Sequence, residues 1–196
     1  AAFLASTRDD EKYGAIWAVA AGTGLRRAEL LGLHWSDVDL ERNLLTVRKS
    51  RTKTPAGART LRLPKPAATA LRAHRARQNV RRLALGSGWH DTDIVFDQGD
   101  GRPLPARTVN GAFTRAILRS NLPAIRLHDL RHGYATVLAR ARIPIKTVST
   151  MLGHANVGIT LDLYTHLDLV DQDLAVTALE DAFADPSENQ VEGQHG

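Results

Sequence analysis

An apolar stripe through Ile16, Trp17 and Ala20 recurs at helical spacing behind a cluster of acids, which predicts a helix over residues 9–21. Gly22 and Gly24 break that pattern, and helical spacing resumes over residues 26–33. Two short runs of β type, LLTVRKS and RTLRLP, flank RTKTPAGA, where Pro55 and Gly57 mark a turn. These predict a hairpin with a basic tip. Residues 66–85 read as a long helix, DIVF as a short strand, and residues 105–120 as another helix. After Pro123 the chain reads as successive helices over 128–140, 145–152, 157–166 and 170–184. From Asp185 onward DPSENQVEGQHG is too polar to build a core and is expected to be disordered. No internal repeat or domain-sized linker interrupts the series, so the pattern predicts one domain over residues 1–184 and a tail over 185–196. Its class is mainly α with a small antiparallel β-sheet, an α+β fold.

Composition narrows the class of protein. At 196 residues the chain can bury one substantial core, and 43% hydrophobic with 24% charged content is that of a globular protein. There is no cysteine, which excludes disulfides, thiolate chemistry and cysteine-ligated zinc, and fits a cytoplasmic setting. No apolar run approaches bilayer length, and the first residues lack the basic start and apolar stretch of a signal peptide, so no membrane partner is expected. The absence of an initial Met suggests a fragment whose upstream part is missing.

Charge changes the picture more. All 26 Lys and Arg lie within residues 1–150 beside 12 acids, a balance of +14, whereas residues 151–196 carry 9 acids and no Lys or Arg. Of the cations 21 are arginine, whose planar fork binds phosphate oxygens in pairs. A basic body of this kind suits a polyanion such as DNA or RNA, the alternative being a solvated arginine-rich surface. Arg51 and Arg59 beside the hairpin tip, and Arg72, Arg75, Arg77, Arg81 and Arg82 along the long helix, are the candidate DNA-binding side chains.

Four separated stretches concentrate unusual polar residues: TGLRRAELLGL with Arg26 and Glu29, TKTPAGAR with Lys53, LHDLRHGYATVLA with His128 and Arg131, and LGHANVGITLDLYTHL with His154 and Tyr164. Each alone has an ordinary reading, as a helix-start arginine, a turn lysine, a surface pair or a half-buried tyrosine. In the last stretch ten residues separate His154 from Tyr164, a turn of about 1000 degrees on an unbroken helix, roughly 80 degrees away from stacking. A shared role therefore needs a bend between them, and Asn156 and Gly158 are the residues most able to supply it.

Taken in order, these stretches resemble the tyrosine recombinase family, also called phage integrases, over about residues 10–170. The family's T-G-x-R-x-x-E segment is matched by Thr23, Gly24, Arg26 and Glu29, its hairpin lysine by Lys53 with Lys49 nearby, and its H-x-x-R pair by His128 and Arg131. Its L-G-H segment and the tyrosine about ten residues on are matched by His154 and Tyr164. The resemblance implies a catalytic domain that cuts and rejoins double-stranded DNA through a 3'-phosphotyrosyl link, with no metal, ATP or other cofactor. It implies that Arg26, Arg131 and His154 hold the phosphate, Tyr164 attacks, His128 accepts the proton, Lys53 protonates the leaving 5'-oxygen and Glu29 orients Arg26. It further implies an upstream DNA-binding domain, a monomer without DNA and a homo-oligomer, a tetramer, upon it. The amphipathic acidic helix at about 170–184 would dock on a neighbour or on its own domain.

Three other readings stand beside this one. A type IB topoisomerase shares the cleavage chemistry, and a catalytically idle DNA-binding module needs only the basic body. HDLRH places His128 and His132 four apart, an echo of the H-E-x-x-H zinc motif, with Asp129 standing where the longer Glu belongs.

Overall fold

The computed structural model describes residues 2–48, 58–154, 156, 158 and 160. Lys53, Arg51, Tyr164, most of the helix expected over 157–166, all of that expected over 170–184, and the tail lie outside the described residues.

The elements in chain order are α1 (Ala2–Ser6), α2 (Gly14–Thr23), α3 (Arg27–Leu31), β1 (Val38–Asp39), β2 (Leu44–Val47), β3 (Arg59–Arg62), α4 (Lys65–Leu85), α5 (Ala106–Arg119), α6 (Asp129–Arg140) and α7 (Ile145–Leu152). The expected class, mainly helical with a small antiparallel sheet, is the class observed. No helix among the described residues is long and apolar enough to cross a membrane.

Helix α2 is the centre of the core. Its sequence, GAIWAVAAGT, buries residues on nearly every side, and it packs against α4 and α6. Trp17 is fully buried and meets Phe113 of α5 edge to face at 5.2 Å, with Phe3 of α1 beside both rings. Such aromatic pairs add about 0.5–1.5 kcal/mol beyond their buried area. Helix α5 buries Val109, Ala112, Phe113, Ala116 and Ile117, the spacing of one amphipathic face, and turns its other side to solvent.

Three local outcomes differ from the sequence expectation. The first helix starts at Gly14 instead of residue 9, because the Asp10 carboxylate accepts the backbone N–H groups of Lys12 and Tyr13 and holds a turn ahead of the helix. DIVF forms no strand of the sheet: Ile94 makes a single bridge to His34, and Val95 donates its N–H to Leu33 O. The third strand is instead the two-residue β1, which pairs with β2. The sheet runs β1-β2-β3, all antiparallel, with Leu45 opposite Leu61 and Val47 opposite Arg59. Alternation along β3 points Arg59 and Leu61 inward and Thr60 and Arg62 outward.

A smaller apolar cluster of Ala135, Val148 and Leu152, with Tyr134, Leu138 and Ile143 around it, joins α6 to α7. Gly24 seals this cluster to α2. Its φ of +61° is left-handed, and a Cβ there would stand 2.5 Å from the Tyr134 ring and 3.1 Å from Leu152.

Candidate active site

The last carbonyls of a helix have no intrahelical partner and carry the negative end of its dipole. At the end of α7 Gly153 takes a left-handed φ of +66°, and the N–H of His154 returns to Ser149 O, which closes the helix. The helix thus ends inside the L-G-H segment, its Gly153 cap one residue before His154. The bend expected between His154 and Tyr164 falls largely outside the described residues; within it the Asn156 side chain accepts the Gly158 N–H at 2.8 Å.

Three arginines from three other elements take up the carbonyls left open. Arg59 Nε donates to Met151 O at 2.6 Å, Arg131 Nη2 to Leu152 O at 2.7 Å, and Arg26 Nη2 to Gly153 O at 2.8 Å. Arg131 also donates to Gly24 O at 2.6 Å, which ties it to the end of α2. It lies on the buried face of α6 in line with Ala135 and Ala139, small residues that leave room for its guanidinium. Burial, with Arg26 and Arg59 close by, pulls its pKa down to about 10, so it stays cationic near neutral pH.

One carboxylate holds the cluster together. Glu29 sits in the first turn of α3, its side chain 6% exposed. Its Oε1 accepts from Arg26 Nη1 and Arg59 Nη1, each at 3.1 Å, and its Oε2 from the Arg26 backbone N–H and Arg59 Nη2, each at 2.9 Å. Burial pushes the Glu29 carboxyl up, and its bonds to Arg59 and Arg26 more than offset that, leaving its pKa below the ordinary value. Three arginines against one carboxylate leave an excess of positive charge at the site. Arg26, at 41% side-chain exposure, carries that excess to the surface.

His154 follows directly. Its Nδ1 lies 2.9 Å from the hydroxyl of Thr160, itself buried. Burial first, then Arg131, Arg26 and Arg59, pull its pKa down to about 4, so the ring is neutral at pH 7. His128 occupies the residue before α6, one turn ahead of Arg131; it is largely exposed, and partial desolvation, then His132 and Arg131, lower its pKa. Its ring meets that of His132 edge to face at 4.9 Å. Asp129, the residue the zinc reading would use as base, is taken up by Arg126, whose backbone N–H and guanidinium it accepts at 2.8 and 3.0 Å. Among the described residues no group of three His, Asp or Glu side chains stands together as metal ligands.

Beside His128 a cavity of about 480 Å³ opens between α3 and α5, with Phe113 and Ile125 in its wall and Arg27, Arg126, Asn110 and Thr114 among its polar lining. Arg27 and Arg126 were not expected here; Arg27 follows Arg26 directly and Arg126 lies two residues before His128.

The expected DNA-binding arginines are differently placed. Arg59 is turned inward: its side chain is 4% exposed and bonds Glu29 and Met151 O. Among the helix α4 residues, Arg72 bonds Leu40 O and Asn43, Arg75 lies 5.0 Å over the Trp35 ring, and Arg81 and Arg82 pair with Asp97 and Asp91. Arg77 is half-buried. These partners belong to none of the elements that carry Arg26, His128, Arg131 and His154.

The phage integrase family model matches residues 2–169. The chain is 35% identical to a tyrosine recombinase XerC-like protein of Caldanaerobacter subterraneus subsp. tengcongensis, over 86% of this chain and 49% of that protein. It is 31% identical to an integrase of Streptomyces ambofaciens, over 74% of this chain and 42% of that protein. It therefore spans about half the length of the curated relatives it matches. Among solved structures, the XerA recombinase aligns with a TM-score of 0.71 at 26% identity, over 90% of this chain and 60% of that one. The Tn1549 transposon integrase, solved in complex with transposon right end DNA, aligns with a TM-score of 0.73 at 24% identity, over 93% and 63%, a likeness of fold.

Proposed function

This chain belongs to the phage integrase family, and from that premise we propose that it is the catalytic portion of a site-specific DNA recombinase working by transesterification through a 3'-phosphotyrosyl intermediate. The observation that supports this most is the meeting of Arg26, Arg131 and His154 at one helix end, although 127 residues separate Arg26 from its carbonyl partner Gly153.

A phosphodiester is an anion that repels a nucleophile, and its transition state gathers further charge on the non-bridging oxygens. The exposed guanidinium of Arg26, backed by Arg131, offers fixed positive charge for those oxygens without reorganisation. Neutral His154 adds a directed donor in the tautomer where the Thr160 hydroxyl donates to Nδ1 and the ring proton sits on Nε2. The phenol of Tyr164, with an ordinary pKa near 10, needs help to ionise. In this reading its oxygen attacks phosphorus as His128 takes the phenolic proton. The P–O5' bond breaks, and Lys53 gives the departing oxygen its proton. The tyrosyl phosphoester keeps the bond energy, so a second 5'-hydroxyl reverses the step on a new partner without ATP. No metal ion has a part in this scheme.

The duplex partner is double-stranded DNA, laid across the face that carries Arg26, Arg27, His128 and Arg126. Assembly as a homotetramer on DNA, with monomers in its absence, and an intracellular setting complete the reading. The chain's likeness to recombinases and integrases favours strand exchange over relaxation by a topoisomerase or idle binding.

The test is a nicked suicide duplex incubated with the 196-residue chain at low salt, with the adduct digested and its modified residue located by mass spectrometry. The expected adduct lies on Tyr164, disappears in Tyr164→Phe while DNA retention persists, and forms equally in EDTA. An adduct on another residue, or one that needs added metal, refutes the mechanism.

A further inference from the structure

We infer that Arg59 is a positioning residue for the cleavage step, its guanidinium joining the strand that follows the Lys53 segment to the helix end that presents His154. The inference rests on the function proposed above.

Arg59 is the first residue of β3, six residues after Lys53, and stands on the inward row beside Leu61. A cation there is costly unless densely bonded, since burial strips its hydration. The bonding is dense: Nη1 and Nη2 each meet one oxygen of Glu29, at 3.1 and 2.9 Å, and Nε meets Met151 O at 2.6 Å. With 4% of its side chain exposed, Arg59 cannot itself reach a phosphate lying on the surface. It acts through its neighbours on two groups that can, Arg26 and His154. Through Glu29 it fixes the carboxylate that orients Arg26. Through Met151 O it anchors the last turn of α7. Gly153 lies flat against the guanidinium, where a Cβ would come within 2.5 Å of Nη1 and 3.0 Å of Cζ, so Arg59 also sets the path by which the backbone enters His154. A planar fork satisfies all three directions at once, whereas an ammonium on a flexible stem cannot.

The experiment uses Arg59→Lys and Arg59→Gln in the whole chain. Each is measured for thermal unfolding, for titration of the His154 imidazole by NMR without DNA, and for single-turnover adduct formation on nicked DNA over a range of DNA concentration. Expected for a folded variant is a fall of about 10²-fold in the saturating rate, the scale of a misplacement of about 1 Å, with the half-saturating DNA concentration unchanged within about twofold. The His154 titration moves upward in Arg59→Gln, because a cation near the ring has been removed. A rate kept within about twofold of the parent overturns the proposal. So does a loss that resides in the half-saturating concentration, which makes Arg59 a DNA contact, and so does unfolding of both variants, which leaves it a purely structural role. An unmoved His154 titration overturns it whether or not the parent cleaves DNA. Absence of any adduct from the parent instead refutes the proposed function alone.

Discussion

Replacing Gly24 with alanine tests two physical reasons together for a glycine at the joint between α2 and the site. The residue holds φ at +61°, and an L side chain in the left-handed region costs roughly 1–2 kcal/mol. The added methyl also has nowhere to go: its carbon would stand 2.5 Å from Cδ1 and 3.0 Å from Cγ of Tyr134, and 3.1 Å from Leu152 Cδ2. Overpacking of this sort costs about 1–3 kcal/mol, because the ring must leave its place between α6 and α7. Together the two effects give about 2–5 kcal/mol of lost stability, a fall in Tm of roughly 2–4 °C for each kcal/mol in a chain of this size. Gly88→Ala is the control: nothing lies within 4 Å of the added carbon and its φ is not left-handed, so the change should be neutral or slightly stabilising. Urea unfolding of both variants beside the parent gives the difference. A Gly24→Ala variant within about 1 kcal/mol of Gly88→Ala would refute the packing argument, since backbone strain alone accounts for that much.

Two further outcomes follow from the site's charge. His154 titrates at about 4 in the folded chain, below the ordinary 6.5, so the unfolded chain binds the extra proton first. Stability should therefore fall as pH drops from about 6.5 to about 4, and His154→Gln should flatten that slope in urea titrations; an unchanged slope refutes the assignment. DNA binding by the chain should weaken steeply as salt is raised, because phosphate contacts dominate, and a binding constant that barely moves between 50 and 200 mM salt refutes a phosphate-gripping face.

Helix α7 and the helical body of α4, α5 and α6 were legible because their apolar spacing is long and regular, and motif order pointed to Arg26, Arg131 and His154, which meet at the end of α7. DIVF misled because a continuous apolar run records burial as readily as strand pairing; Val95 and Phe96 are core residues held by single backbone bonds. The partners of the α4 arginines were not legible for a related reason. Charge counted along a helix says nothing about partners far off in sequence, and Asp91, Asp97 and Trp35 lie in other loops and turns. Arg59 had a signal that went unused: alternation along RTLRL puts it on the same face as Leu61 and Leu63, both buried. That face is the core, and a cation there needs a buried acid such as Glu29. The hairpin lysine and the tyrosine lie outside the described residues, so their placement rests on motif and chemistry.

The arginines at the end of α7 grip main-chain oxygens of Met151, Leu152 and Gly153, never their side chains. Truncating the side chains of Met151 or Leu152 therefore leaves every one of those acceptors in place, and an alanine scan would register only lost packing there. The contribution of this segment is written in peptide groups, and replacing an amide by an ester, one backbone position at a time, is the perturbation that would reveal it.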